Sequence, residues 1–479
     1  MTVDYEAVIG LEVHAQLLTR TKLFCACSTS FGEAPNTNVC PVCLGLPGAL
    51  PVVNRRAVEY AVRAALAVGC QVHESSVFAR KHYFYPDLPK GYQISQYDRP
   101  LATRGALELE VEGRSLRAGI TRIHMEEDAG KNVHGVGGDS LVDLNRAGTP
   151  LIEIVGEPDL RAPAEAAAYL RALRDVLTFI GVNDGNLEEG SFRCDANVSI
   201  RPRGQAGFGT RVELKNLNSF RFVERALEAE IARQTVLLDA GRPVEQETRS
   251  FEPESMTTHR LRSKEEAHDY RYFPDPDLPP LRLDAALVEA QRAEVGELPA
   301  AARARLASRG LSAQAVATLT AHPATLRYFD EAARLVPEPV RVANFMLTEL
   351  LRGARFHGLE ASFPITPAQL AELVALVADG EISGKQAKEV YAAIQHGSLA
   401  PRAVVRARGL RVIGDADALE ALCRRLLEAE PALVASVRGG KRGVLGHFVG
   451  KVMKETGGSA DPKLVSELLT RLIESEPEA

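Results

Sequence analysis

Over the first 290 residues the apolar positions come in short runs that alternate with polar ones. Residues 107–111, 140–144 and 197–200 have a period of two and are separated by turn residues, which predicts strands. Residues 10–17 alternate as well, so that Glu12, His14 and Gln16 share one face of a strand while Val13 points the other way. Two stretches change period. Residues 163–180 open with Pro163 and Glu165 ahead of an apolar helical repeat, and residues 219–240 are closed by Gly241 and Pro243, so both are predicted helices. Residues 1–290 therefore read as an α+β domain built on an antiparallel sheet. Residues 291–404 are rich in Ala and Leu with helical spacing, as in 370–378 and 385–394, and are broken by Pro337, Pro339, Pro364 and Pro367. They predict an all-helical domain. Residues 405–479 also read as helical, forming a tail domain interrupted at Gly439, Gly440 and Gly443. No fixed-period repeat is present.

Length supports this division, because 479 residues exceed what one hydrophobic core serves. The formal net charge of −6 does not mark the whole chain as a nucleic-acid binder. The tail differs: from Pro401 to Lys454 eleven Lys or Arg stand against five Asp or Glu, an excess of six. Either a solvated helical face or an RNA-backbone patch of Arg438, Lys441, Arg442, Lys451 and Lys454 accounts for it. The first ten residues lack the basic and apolar regions of a secretory signal, and no apolar run is long enough to span a membrane. A cytoplasmic location is expected, in which cysteines are thiols or metal ligands.

Four of the seven cysteines, Cys25, Cys27, Cys40 and Cys43, fall in a C-x-C-x12-C-x2-C pattern. Two close pairs joined by a loop place four thiolates around one Zn²⁺, and four protein ligands close such a site, which points to a structural role. Cys70, Cys194 and Cys423 read as buried thiols.

Carboxylates concentrate in four segments. Glu12, His14 and Gln16 form the polar face described above, or else a solvent-facing strand edge. Glu126, Glu127 and Asp128 lie between His124 and Lys131, in a short run that suits a cation-binding loop. Glu153 sits in an apolar strand-like stretch, where a carboxylate requires a metal or a charge partner such as Arg146. Asp195 and Asn197 alternate with apolar residues. Together these offer oxygen ligands for Mg²⁺, which also holds substrate phosphates. His14 is atypical for so hard an ion, so Mn²⁺ substitutes or the histidine acts otherwise. Lys81, Lys90, Lys131, Arg146 and Lys215 are candidate phosphate partners. No G-x-x-x-x-G-K-[ST] loop and no G-x-G-x-x-G turn occurs, so an ATP site here is neither a P-loop nor a Rossmann crevice. No cysteine or serine has the setting of a glutaminase nucleophile.

Residues 10–17, the cysteine pattern, and residues 81–96, 123–131, 213–220 and 269–279 occur in that order. The series resembles the B subunit of the glutamyl-/aspartyl-tRNA amidotransferases over essentially the whole chain, and residues 440–454 resemble that family's tail. Gly156, Phe192 and Lys451 depart from the family's common residues without removing a proposed ligand. The resemblance implies a catalytic cradle, a helical domain and a tRNA-interacting tail. It implies a heterotrimer with an amidase (glutaminase) partner and a small third partner, acting on misacylated tRNA with no membrane involved. It also implies an ATP and Mg²⁺ site at Glu12, His14, Glu127 and Glu153, with residues 81–96 near the route that delivers ammonia.

Overall fold

The computed structural model describes residues 3–134, 139–263, 269–410, 416–438, 442–456 and 460–475. They divide into two compact units, the first ending at Ala302.

The first unit is organised by a nine-stranded sheet. Its long strands are β1 (Tyr5–Gln16), β6 (Ala102–Val111), β7 (Arg114–Glu127), β10 (Pro150–Gly156) and β11 (Phe192–Pro202). Between β1 and β6 come helix α1 (Arg55–Ala67) and strands β2 (Gln71–Val72), β3 (Ser75–Ser76), β4 (Phe78–His82) and β5 (Tyr92–Gln96). A hairpin of β8 (Lys131–His134) and β9 (Ser140–Asp143) precedes β10. Helix α2 (Pro163–Phe179) leads into β11, then β12 (Val212–Lys215), α3 (Phe220–Asp239), β13 (Glu247–Glu252) and β14 (Thr257–Ser263). The unit closes with β15 (Phe273–Pro274), β16 (Leu281–Arg282) and α4 (Ala285–Glu294). The strand order is β14-β13-β12-β11-β1-β10-β7-β6-β2. All pairs are antiparallel except β12 with β13, so the sheet is mixed at one point. β15, β4 and β5 form a separate small sheet that meets the end of β7.

The alternation read from sequence is the alternation of burial. Along β1, Ile9, Leu11, Val13 and Ala15 are buried while Gly10, Glu12, His14 and Gln16 are half-buried. The apolar face packs beneath α2 and α3, with Leu170, Leu173, Val223 and Leu227 joining Val13, Ile152, Ile154 and Val198 in one core. Helix α2 starts on Pro163, with the Glu165 carboxylate accepting from the backbone N–H of Arg161 and Ala162. Ser219 caps α3 by accepting from the Phe222 amide. Ile152 has no exposed surface. Ile152→Ala should therefore cost about 2–5 kcal/mol, read as a lower midpoint in urea unfolding.

Helix α4 falls in this unit and packs on α1: the Arg63 guanidinium donates to Gln291 Oε1 at 3.1 and 3.0 Å. The sequence-based boundary at 290 would cut through this helix.

The second unit is helical. It contains α5 (Pro299–Ser308, which spans the division), α6 (Ala313–Leu319), α7 (Pro323–Ala333), α8 (Pro339–Thr348), α9 (Pro367–Ala378), α10 (Gly384–Ile394) and α11 (Pro401–Arg408). It also holds a short hairpin, β17 (Arg355–His357) with β18 (Glu360–Ser362), which helical periodicity does not foresee. Pro339 and Pro367 begin helices, where a missing N–H costs nothing. Helices α12 (Ala416–Ala429), α13 (Pro431–Arg438), α14 (Leu445–Glu455) and α15 (Pro462–Ser475) enclose a core of their own around Leu419, Cys423, Phe448, Val452 and Leu469. No helix among the described residues is long and apolar enough to cross a membrane.

Candidate active site

Strand register assembles the site from segments far apart in sequence. His14 on β1 pairs with Glu153 on β10, Glu153 pairs with His124 on β7, and Arg193 on β11 completes the row on the other side of His14. These four residues share the polar face of the sheet. Two residues along β7, Glu126 returns to that face. His14, Glu126 and Glu153 each present a ligand atom within 4.8 Å of the others. His14 Nε2 lies 3.2 Å from Glu153 Oε2. His124 Nε2 lies 3.1 Å from Glu126 Oε1 and 3.5 Å from Glu153, bridging the two carboxylates from behind.

The electrostatics follow from this crowding. Burial favours the neutral acid at Glu153, but His124 and His14 hold its carboxyl well below the usual carboxylate range. Burial and the neighbouring Glu153 also work against ionisation of Glu126, yet His124 and Lys81 keep it below its ordinary value. Burial disfavours the charged form of His124, but the two carboxylates overcome it and raise the imidazole to about 9. His14 is likewise raised by Glu153 against the effect of burial. Two carboxylates held ionised beside imidazole nitrogen, in a partly enclosed space, form a donor set suited to a divalent cation.

The remaining side chains of this face extend the site. Glu12 lies next along β1, accepts from Asn197 Nδ2 at 3.0 Å and stands outside the three-residue cluster. Burial and the charges of Glu153, Asp195 and Glu213 push its carboxyl up. Lys215 at the end of β12 donates to Asp195 Oδ2 at 2.5 Å and lies 3.1 Å from Glu213. Asn216 then takes a left-handed turn, φ 63°, which asparagine tolerates better than most residues. Lys81 from β4 and Lys215 line the same cavity of about 350 Å³ as His14 and Glu126. A neighbouring cavity of about 680 Å³ shares Arg193 and is lined by Lys131 and Arg146.

Arg146 does not pair with Glu153. Its guanidinium donates to the Ala129 and Gly130 carbonyls at 2.9 and 2.6 Å and lies 3.7 Å from Asp128. Asp128, which accepts from Gln16 and Arg193 at 2.7 and 2.8 Å, is thereby fixed in the wall of the first cavity by two residues that line the second.

Cys25, Cys27, Cys40 and Cys43 also converge, with their sulfurs within 4.8 Å of one another. Cys40 Sγ and Cys43 Sγ are 3.9 Å apart, close to the roughly 3.8 Å edge of a tetrahedron with Zn–S bonds of about 2.3 Å. The four residues therefore fit a zinc ion. Cys70, Cys194 and Cys423 are buried thiols elsewhere.

Comparison with known proteins gives the family. Residues 7–289 match the family model for the GatB/GatE catalytic domain, and residues 327–473 match that for the GatB domain. The B subunit of the aspartyl/glutamyl-tRNA(Asn/Gln) amidotransferase of Solidesulfovibrio magneticus is 55% identical over 470 residues, covering 98% of this chain and 99% of the relative. The corresponding B subunits of Anaeromyxobacter dehalogenans and Nitratidesulfovibrio vulgaris are each 54% identical, over 98% and 97% of this chain and 98% of either relative. The chain belongs to this family of amidotransferase B subunits.

Within that family frame the structure separates two adjacent glutamates. The resemblance assigns Glu127 to the metal, but its side chain lies on the face opposite Glu126. It accepts from the Ile94 amide at 2.9 Å and pairs with Lys90, and both partners are almost fully buried. Lys90 therefore stands apart from Lys81 and Lys215, in a small cavity shared with Cys25 and Cys43. Lys90→Met should leave Glu127 buried without its charge partner and destabilise by about 3–5 kcal/mol, read by thermal unfolding with the conservative Lys90→Arg as control. Arg193 is the site residue that spacing alone passes over; His124 enters the sequence reading only as the boundary of the acidic run, and Glu126 as one of its three acids.

In the tail, the Arg438 guanidinium donates to the Ile473 carbonyl at 2.9 Å, and Lys451 pairs with Glu430, which also meets His447 at 2.9 Å. Lys454 is exposed. Lys441 and the Arg442 side chain lie outside the described residues.

Proposed function

We propose that this protein uses ATP to phosphorylate the side-chain carboxylate of a misacylated Glu-tRNA(Gln) or Asp-tRNA(Asn), and that ammonia then displaces the phosphate to form the amide. The observation that carries this reading is the convergence of His14, Glu126 and Glu153 beside a cavity that His14, Glu126, Lys81 and Lys215 line. A carboxylate is a poor electrophile until its oxygen becomes a good leaving group. Phosphoryl transfer to it needs chiefly positioning and neutralised charge. Mg²⁺ held by His14, Glu126 and Glu153 would supply Lewis acidity and a template for phosphate oxygens. Lys81 and Lys215 offset phosphate charge from the cavity wall; carboxylate neighbours raise both ammoniums against the effect of burial, so both stay charged at neutral pH. Lys131 and Arg146 border the adjoining cavity, which suits the rest of the nucleotide.

Ammonia comes from glutamine hydrolysed by an amidase partner, with a small third partner completing the heterotrimer, in the cytoplasm where tRNA is charged. The cysteine centre holds structural Zn²⁺. The tail approaches tRNA by backbone and shape, with the exposed Lys454 more available than Arg438 and Lys451, whose head groups already have intramolecular acceptors.

The test is amidation by the assembled complex with Glu-tRNA(Gln), ATP, Mg²⁺ and ammonium chloride in place of glutamine. Gln-tRNA formation with ADP release is the expected result. Binding of Glu-tRNA(Gln) and Asp-tRNA(Asn) without any ATP turnover would instead mean that the protein is a non-catalytic zinc-containing tRNA scaffold.

A further inference from the structure

Lys22 has no exposed surface. Its ammonium donates to the Asn38 carbonyl at 2.6 Å, the Leu144 carbonyl at 3.3 Å and Cys43 Sγ at 3.6 Å, with no carboxylate among these partners. Removing an ammonium from water costs several kcal/mol unless an opposite charge offsets it. Carbonyl dipoles alone do not supply that charge. A tetrathiolate centre does, because four thiolates around one divalent ion carry an excess of negative charge. The two buried charges need each other: the lysine requires an anion, and the metal centre requires a cation to remain anionic inside the protein.

The contacts around Lys22 show what else it joins. Its backbone N–H donates to the Cys27 carbonyl at 3.0 Å, so both ends of the residue touch the cysteine loops. Gly148 lies against it in a left-handed conformation, φ +87°; a Cβ there would fall 3.3 Å from Lys22 Cδ and 3.5 Å from Cys43 Cβ. Gly148 N–H in turn donates to the Asp128 carbonyl at 2.8 Å. The lysine thus stands between the cysteine centre and the 144–149 loop, which carries Arg146 and leads into the strand bearing Glu153.

We propose that Lys22 is the outer-sphere counter-cation of a zinc–tetrathiolate centre, hydrogen-bonded to Cys43 and tying that centre to the 144–149 loop. The proposal rests on the zinc reading of the four cysteines. Lys22 is a positioning residue, and its effect is on metal retention rather than on the reacting atoms.

The test uses the full chain in its complex, with Lys22→Met to remove the charge and the N–H donors and Lys22→Gln to keep a neutral donor. Zinc release is followed with a chromophoric chelator. In a parallel sample Co²⁺ replaces zinc, and the thiolate-to-cobalt absorption band is recorded. An N–H···S hydrogen bond stabilises the sulfur lone pair and raises the energy of that band. Lys22→Met should release zinc about 10–100-fold faster and shift the band to lower energy, with Lys22→Gln intermediate in both. If Lys22→Met does not fold, Lys22→Gln decides. Wild-type release and an unshifted band in a folded variant overturn the proposal while leaving the zinc reading intact. A wild-type chain that binds neither metal overturns both.

Discussion

Glu153→Gln should lower ammonium-driven amidation by about 10²–10³-fold, the scale on which removal of one charge-stabilising group slows a transition state, with charged-tRNA affinity unchanged. Glu153 is the shared partner of His14 and His124, and its carboxyl is held ionised well below its usual range. It is therefore the centre of the candidate cation site, and glutamine keeps its shape while removing its charge. Glu126→Gln should behave alike. Both losses should be partly recovered at raised Mg²⁺ or Mn²⁺, since a weakened site is refilled by mass action. Glu127→Gln supplies the contrast: its carboxylate serves Lys90 and the Ile94 amide on the opposite face, so its effect should appear in thermal stability and should not respond to divalent cation. If Glu126→Gln and Glu153→Gln retain full amidation while Glu127→Gln loses it in a metal-dependent way, the site drawn from the strand register is wrong and the assignment from resemblance stands.

That contrast also shows where sequence reasoning stops. Alternation along residues 10–17 places Glu12, His14 and Gln16 on one face, because the period of a strand is a local property. The same rule puts His124 and Glu126 together and turns Glu127 away. What it does not supply is which of the two faces meets His14. That answer lies in the pairing of β1 with β10 and of β10 with β7, between segments more than a hundred residues apart for the first pair. A one-residue shift in either register would reverse it. Helices α2 and α3 are legible because Pro163, Glu165, Ser219 and Gly241 mark their ends locally. The hairpin Arg355–Ser362 is not, since its strands are three residues each and too short to establish a period. In the tail, counting charges finds a basic excess but not its partners: Arg438 is committed to the Ile473 carbonyl and Lys451 to Glu430.

The cysteine pattern is the most legible feature of all, and it carries the second large expectation. Stripping metal from the full complex with a chelator should lower the cradle's stability by about 4 kcal/mol, the linkage contribution of a ligand held at a thousandfold above its dissociation constant. Cys43→Ser should do the same without chelator. The reason is that the cysteine loops have no regular secondary structure to order them. Between β1 and α1 the backbone forms no strand or helix, only an isolated bridge from Thr21 to Ser28, so four metal–sulfur bonds would supply the ordering that a strand or helix gives elsewhere. The consequence should not stay local. Gly45, in the left-handed region at φ +67°, leans so closely on Lys90 that any Cβ would overlap its side chain. Lys90 in turn holds Glu127, beside Glu126 on the same strand. Loss of zinc should loosen the wall behind the candidate active cavity, so amidation should fall together with stability, and both should return when zinc is restored. Zinc content, melting temperature and amidation rate measured on the same chelated and reconstituted samples check this. A chain emptied of metal that unfolds at the wild-type temperature would remove the structural role. A chain that melts earlier yet amidates at the full rate would confine that role to the cysteine loops and cut the link through Lys90.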